Sequence, residues 1–170
     1  HPRDRRQRQM CIRDRSEEYP YLVFTGVRED PFFQTGQRNI ESLRRRMPAP
    51  SLYLHTSDAE REGLVDGDWA KLSTPQGEVV AQVAVHETMK QGHIRVPHGW
   101  WYPELRGEAS LAGAFISSDA VLCADSDEWL DHEQGVPHFK GFPGKVEKTD
   151  KPQQVSRTTP DDWQADQAVE

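Results

Sequence analysis

The chain has 170 residues, is 35% hydrophobic and carries a formal charge of −7, with a mean hydropathy of −0.85. A domain near this size buries about 68–70% of its unfolded surface without a disulfide staple, and Cys11 and Cys123 show neither a metal nor a redox spacing. The acidic balance argues against a nucleic-acid surface, and no apolar run reaches the roughly 18 residues of a membrane span.

Met10 to Arg15, MCIRDR, resembles a translated transposon-adaptor sequence, so residues 1–15 are expected to be a non-native leader; a natural basic arm is the alternative. From Tyr19 the pattern changes. YPYLVFTG is an apolar, β-rich run that ends as a strand at Gly26. In GQRNIESLRRRMP, Ile40, Leu43 and Met47 stand at helical spacing before Pro48, which predicts a short helix. PSLYLHT predicts the next strand. TSDAEREGL carries a capping pattern, Ser57-x-x-Glu60, with Gly63 where a left-handed residue would end the helix and Gly67 in the following turn.

WAKLSTP, the turn QGE and EVVAQVAVHE predict a two-strand meander; the near-continuous apolar run of its second strand fits packing on both faces. QGHIRVPHG and GKVEKT predict two further strands, with a short helix near Ser117 to Leu122 between them. Beyond Lys148 the chain loses apolar period, so residues 149–170 are expected to be a disordered acidic tail, with Trp163 a lone docking contact. About six short strands with few helices make a small β-barrel rather than a βαβ sheet.

Two stretches carry candidate chemistry. In FTGVREDPFFQTGQRN, Thr25 and Gly26 end a strand, Arg28 follows, and Gln34, Thr35 and Arg38 open the predicted helix. A close glycine backbone, a helix N-terminus and arginine forks together suit a phosphate or pyrophosphate. The plainer alternative makes Thr-Gly a turn and Thr35 an N-cap. The second stretch is HGWWYPE, where adjacent side chains point opposite ways. One indole then seals the core while the other forms a flat wall for a planar heteroaromatic ligand. No HExxH, paired cysteines or nucleophile elbow occurs, and Glu128, Asp131 and Glu133 fit a solvated face better than a carboxylate dyad.

In order, YLVFTGVR, the segment from FQTGQRN to EVVAQVAV, QGHIRVPHGWWYPE and GVPHFKGFPGKVEK resemble the C-terminal dinucleotide-binding domain of molybdopterin oxidoreductases. These are the dimethyl-sulfoxide-reductase-like enzymes. The similarity covers Tyr19 to Lys148 and is nearest the branch holding thiosulfate and polysulfide reductases and acetylene hydratase. It implies a mainly β fold, a six-stranded double-psi β-barrel with short peripheral helices, spanning residues 16–148. It implies that Thr25, Gly26, Arg28, Gln34, Thr35 and Arg38 hold pterin and pyrophosphate, that His98, Gly99 and Trp100 line the cofactor, and that Lys140 reaches it.

The implied cofactor is molybdopterin guanine dinucleotide, with molybdenum or tungsten on its dithiolene and an iron–sulfur cluster only in domains upstream. The implied partners are those domains, within the same large subunit, plus an iron–sulfur electron-transfer subunit, with no nucleic acid and no membrane insertion; the segment alone is expected to be non-catalytic. SLAGAFISSDAVL lacks the asparagines usual in the family, which puts an amide contact there in doubt. The competing reading is a free-standing double-psi barrel that acts as a protein-interaction module, and a separately encoded pterin subunit is a third. The compartment, cytoplasmic or periplasmic, stays open.

Overall fold

Six strands close into a barrel in the computed structural model, which describes residues 16–105, 111–123, 130–131, 133, 135–137 and 140–159. The expected leader, Glu128 and Trp163 lie outside the described residues. The strands are β1 (Tyr21–Val27), β2 (Ser51–Leu54), β3 (Trp69–Ser73), β4 (Glu78–Val85), β5 (His93–Pro97) and β6 (Lys140–Lys148). Around the barrel they run β1-β5-β2-β4-β3-β6. β1 pairs with β5, and β2 with β4, in parallel; the other four pairings are antiparallel. This closed mixed barrel is the double-psi arrangement, and closure leaves none of the six with an open edge. Leu130–Asp131 pairs with Val136–Pro137 apart from it.

Period-two alternation decides what fills the barrel. Tyr21 and Val23 of β1, Leu52 and Leu54 of β2, Ala70 and Leu72 of β3, Val79, Ala81 and Val83 of β4, and Ile94 and Val96 of β5 are all buried. Phe142 and Val146 of β6 complete the core. Gly144 lies between them because a Cβ there would sit 2.4 Å from Val23 Cγ2. β4 is packed on both faces only in part: Val80 and Gln82 on its outer side are half-buried, covered where Ser117 Oγ donates to the Val80 carbonyl.

The helices are short: α1 (Glu41–Arg44), α2 (Thr56–Arg61) and α3 (Ala114–Ser117), the last followed by a 3₁₀ turn at Asp119–Leu122. The helix expected from Gly36 onward is therefore corrected to a single turn. Gln37 takes φ +69°, so regular helix cannot run through it, and buried Arg44 donates from Nε to the Pro48 carbonyl at 2.8 Å beyond the helix end. Ile40 stays 41% exposed, while Leu43 and Met47 pack inward.

The capping box is also corrected. His55 is the N-cap of α2, its Nδ1 accepting from the Ser57 N–H at 3.0 Å. Gly63, at φ +64°, does end α2 as expected, with the Leu64 N–H returning to the Ala59 carbonyl at 2.9 Å.

A second cluster lies outside the barrel, formed by Phe32, Met47, Trp100, Tyr102 and Val155. Val155 is 1% exposed, although it lies in the stretch expected to be a disordered tail from residue 149. Thr158 is buried as well, while Asp150, Lys151, Gln153, Gln154, Ser156 and Thr159 are exposed; residues 160–170 lie outside the described residues.

Candidate functional site

Strand register brings the candidate segments together. β1 and β5 run parallel, with Val27 opposite Pro97, so both chains leave the barrel at the same end. β6 enters antiparallel at that end, with Lys140 opposite Phe24. Gly26, Arg28, Gln34, His98 and Lys140 line one cavity of about 280 Å³ there. Five of the ten residues singled out from the sequence thus share a single opening.

The loops that form it are held by two buried charged side chains. Asp119, 1% exposed, accepts through Oδ2 from the Gly26 N–H at 3.0 Å and lies 3.1 Å from His98 Nδ1. Its Oδ1 accepts from the Gly99 N–H at 2.8 Å. Sequence reading passed over Asp119; the available signal was one acid amid small and apolar residues in ISSDAVL.

Arg38 is the second tie. Its Nη1 donates to the Gln34 carbonyl at 2.8 Å and its Nη2 to the His98 carbonyl at 2.8 Å. Its guanidinium stands 4.9 Å from the Trp100 ring centroid and 5.0 Å from that of Phe32. Burial, with the charge of nearby Arg44 adding to it, pushes the Arg38 guanidinium down to about 10. Arg38 is 1% exposed, so it organises the wall rather than presenting a fork to the cavity. The expected helix N-terminus is absent from the site as well, because Gln34 to Arg38 form turns with positive φ at Gln34 and Gln37.

The tryptophans split as the alternation requires. Trp100 is fully buried, with Phe32 and Tyr102 edge-on to it and Arg44 5.0 Å from its centroid. Trp101 is half-buried and donates from Nε1 to the Thr35 carbonyl at 2.6 Å. Neither ring is among the residues lining the cavity; the indole wall expected there stands behind the loops.

Thr35 is exposed and lies against Gly99, where an added Cβ would fall 2.2 Å from Thr35 Cγ2. Thr25 is fully buried, 3.9 Å from Cys123 Sγ, and Cys123 has its thiol pushed up by burial.

Chemically the opening is cationic and polar: a guanidinium, an ammonium, an amide and an imidazole, with no carboxylate among the lining residues. That donor set suits an anion joined to a planar heterocycle. The volume suits part of a dinucleotide rather than the whole. Among the described residues no group of three His, Cys, Asp or Glu is placed to hold a metal ion, and no helix is long and apolar enough to cross a membrane.

The family model described as "Molydopterin dinucleotide binding domain" matches residues 22–143. Acetylene hydratase of Syntrophotalea acetylenica is 37% identical over 128 residues, covering 74% of this chain and 18% of that protein. Tetrathionate reductase of Salmonella typhimurium is 30% identical over 125 residues, covering 64% of this chain and 12% of the relative. The solved structure of acetylene hydratase from Pelobacter acetylenicus superposes with a TM-score of 0.74 at 36% identity, covering 78% of this chain and 19% of that one. The chain therefore spans less than a fifth of the length of these proteins.

Proposed function

The chain belongs to the molydopterin dinucleotide binding domain family, and from that membership we propose that it holds the pyrophosphate and neighbouring pterin of a molybdopterin guanine dinucleotide within a larger molybdenum or tungsten oxidoreductase. Arg28 and Lys140 neutralise the pyrophosphate. Gly26 lets the backbone approach it, and Gln34 and His98 meet the polar edge of the ring system. Thr25, Thr35, Arg38, Gly99 and Trp100 shape this wall from behind. The unit runs from about residue 16 and includes the Val155 contact beyond the last barrel strand.

When bound, the cofactor supplies the redox-active metal centre, while the protein supplies orientation and electrostatics. On this reading the segment is non-catalytic alone. The metal's protein ligand, an iron–sulfur cluster and the contact to an electron-transfer subunit would then belong to domains outside this chain. The similarity to acetylene hydratase and tetrathionate reductase supports an enzyme context.

The observation that carries this reading is convergence: cations from the loop after β1 and the start of β6 face one opening with the His98 ring. A protein-interaction module has no need of that convergence. The test is calorimetric titration of the chain with inorganic pyrophosphate and with guanosine diphosphate, for the wild type and for Arg28→Ala/Lys140→Ala. Binding that weakens at least tenfold in the double variant supports the reading. Equal affinity in the two proteins, or none in either, overturns it.

A further inference from the structure

One carboxylate joins two parts of the cavity wall, the exit of β1 and the exit of β5. Asp119 is 1% exposed and sits in the 3₁₀ turn that follows α3. Three groups converge on it from two other segments: the N–H of Gly26, the N–H of Gly99 and the ring of His98. A carboxylate with two committed oxygens accepts and does not donate. The nitrogen of His98 that faces it, Nδ1 at 3.1 Å, must therefore carry the proton.

The His98 backbone is fixed as well, its N–H donating to the Val27 carbonyl at 2.8 Å and its carbonyl accepting from Arg38 at 2.8 Å. Ring position and ring tautomer are thus set separately, the first by the backbone and the second by Asp119.

We propose that Asp119 is a positioning residue for the cofactor cavity: it ties the β1 and β5 exits together and holds His98 as the Nδ1–H tautomer, so that Nε2 is the nitrogen offered to the guest. A neutral His98 then presents an acceptor to a donor N–H of a planar heterocycle. A protonated one adds a third cation beside Arg28 and Lys140. Both glycines serve the same device. Each takes positive φ, +75° at Gly26 and +57° at Gly99, which turns its N–H toward the carboxylate.

The identity of the guest rests on the functional reading above; the tautomer does not. The experiment is a two-bond ¹H–¹⁵N correlation of the histidine rings in the full chain, followed upward in pH until the ring signals stop moving. The expected result is a protonated Nδ1 and a bare Nε2 at His98; the reverse tautomer in the wild type overturns the proposal even if no variant folds. In Asp119→Asn, whose amide can donate, the expected result is a shift of His98 toward Nε2–H, displaced amide signals at Gly26 and Gly99, and at least fivefold weaker inorganic pyrophosphate binding. An unchanged tautomer in that variant also overturns it. Absence of pyrophosphate binding in the wild type, with the ring tautomer as expected, sinks the functional reading and leaves the positioning role standing.

Discussion

Arg38 Nη2 donates to the carbonyl oxygen of His98 at 2.8 Å across sixty residues of chain. The same guanidinium holds the Gln34 carbonyl at 2.8 Å, so one buried cation closes the two loops that carry the cavity. Hydrogen bonds to a charged group are worth about 1.5–3 kcal/mol each, and orphaned buried acceptors add cost. Arg38→Ala is expected to lower unfolding free energy by about 3 kcal/mol or more. Arg38→Lys keeps the charge but not the fork, and should recover only part of that. Arg28→Ala, at an exposed position, should change stability by no more than about 0.5 kcal/mol while weakening pyrophosphate binding. Urea denaturation of the three variants separates the buried tie from the cavity cation, and equal losses for Arg38→Ala and Arg28→Ala would refute the division of labour.

Gly99 combines positive φ, +57°, with a close neighbour, since an added Cβ lies 2.2 Å from Thr35 Cγ2. Gly63 has φ +64° but open space around its Cα. The left-handed conformation alone costs a residue with a Cβ about 1–2 kcal/mol. Gly63→Ala should show that amount and no more. Gly99→Ala should exceed it by about 1 kcal/mol, and adding Thr35→Ser, which can remove the methyl, should return part of the excess. Thermal melts of the four proteins test this; a Gly99→Ala that costs no more than Gly63→Ala would show that Thr35 yields freely.

Strand identity was legible because the buried residues recur at period two, such as Leu52 and Leu54 or Val79, Ala81 and Val83, whether the outward residues between them are polar, as Lys71 and Arg95, or apolar, as Leu22 and Val80. The glycine loops were legible too, since Gly26 and Gly99 stand where the apolar period stops. What the pattern could not show was direction across the barrel. Arg38 looks like a surface cation in GQRN, and only the approach of the His98 loop makes it an internal tie. Asp119 was hidden for the same reason, because a carboxylate that serves distant N–H groups leaves no local period. The helix from Gly36 was overread since Ile40, Leu43 and Met47 satisfy helical spacing, whereas Gln37 adopts φ +69° under tertiary constraint. The indole pair was placed correctly as one ring in and one out, yet the cavity is lined by polar groups instead.

Tyr53 offers a pH test with a definite sign. Burial, then the hydrogen bond to Glu29, pushes its phenol up to about 12 from an ordinary value of 10.0, with the hydroxyl donating to Glu29 Oε2 at 2.8 Å. The unfolded chain loses this proton first, so between the two values the folded state binds more protons and stability falls as pH rises. The contribution is complete below about pH 10 and is lost as pH rises through the folded value of about 12. Burial also raises the phenols of Tyr21 and Tyr102, so the comparison with Tyr53→Phe isolates its contribution. The stability of wild type relative to Tyr53→Phe should be constant from pH 7 to 9 and decline from pH 10 upward. A constant difference to pH 11.5 would show that the folded phenol titrates normally.

Val155 closes the second cluster against Met47 and Trp100 from beyond the last barrel strand. Its position is set locally: the Val155 N–H returns to the Pro152 carbonyl at 3.0 Å, and Lys151 Nζ donates to the Ser156 carbonyl at 3.1 Å and to Thr158 Oγ1 at 2.9 Å. The polar residues of KPQQVSRTT thus form a looped clasp that presents one apolar side chain. Trp100, fully buried, shares that cluster and follows Gly99 at the exit of the cavity. Val155→Ala is expected to cost about 2 kcal/mol through the lost methyls and the space left behind. Ending the chain at Lys148 should cost at least as much, raise the exposure of Trp100 to acrylamide quenching and weaken pyrophosphate binding through the loosened loop. Were residues 149–159 a free tail, the shortened chain would match the full one in all three measurements.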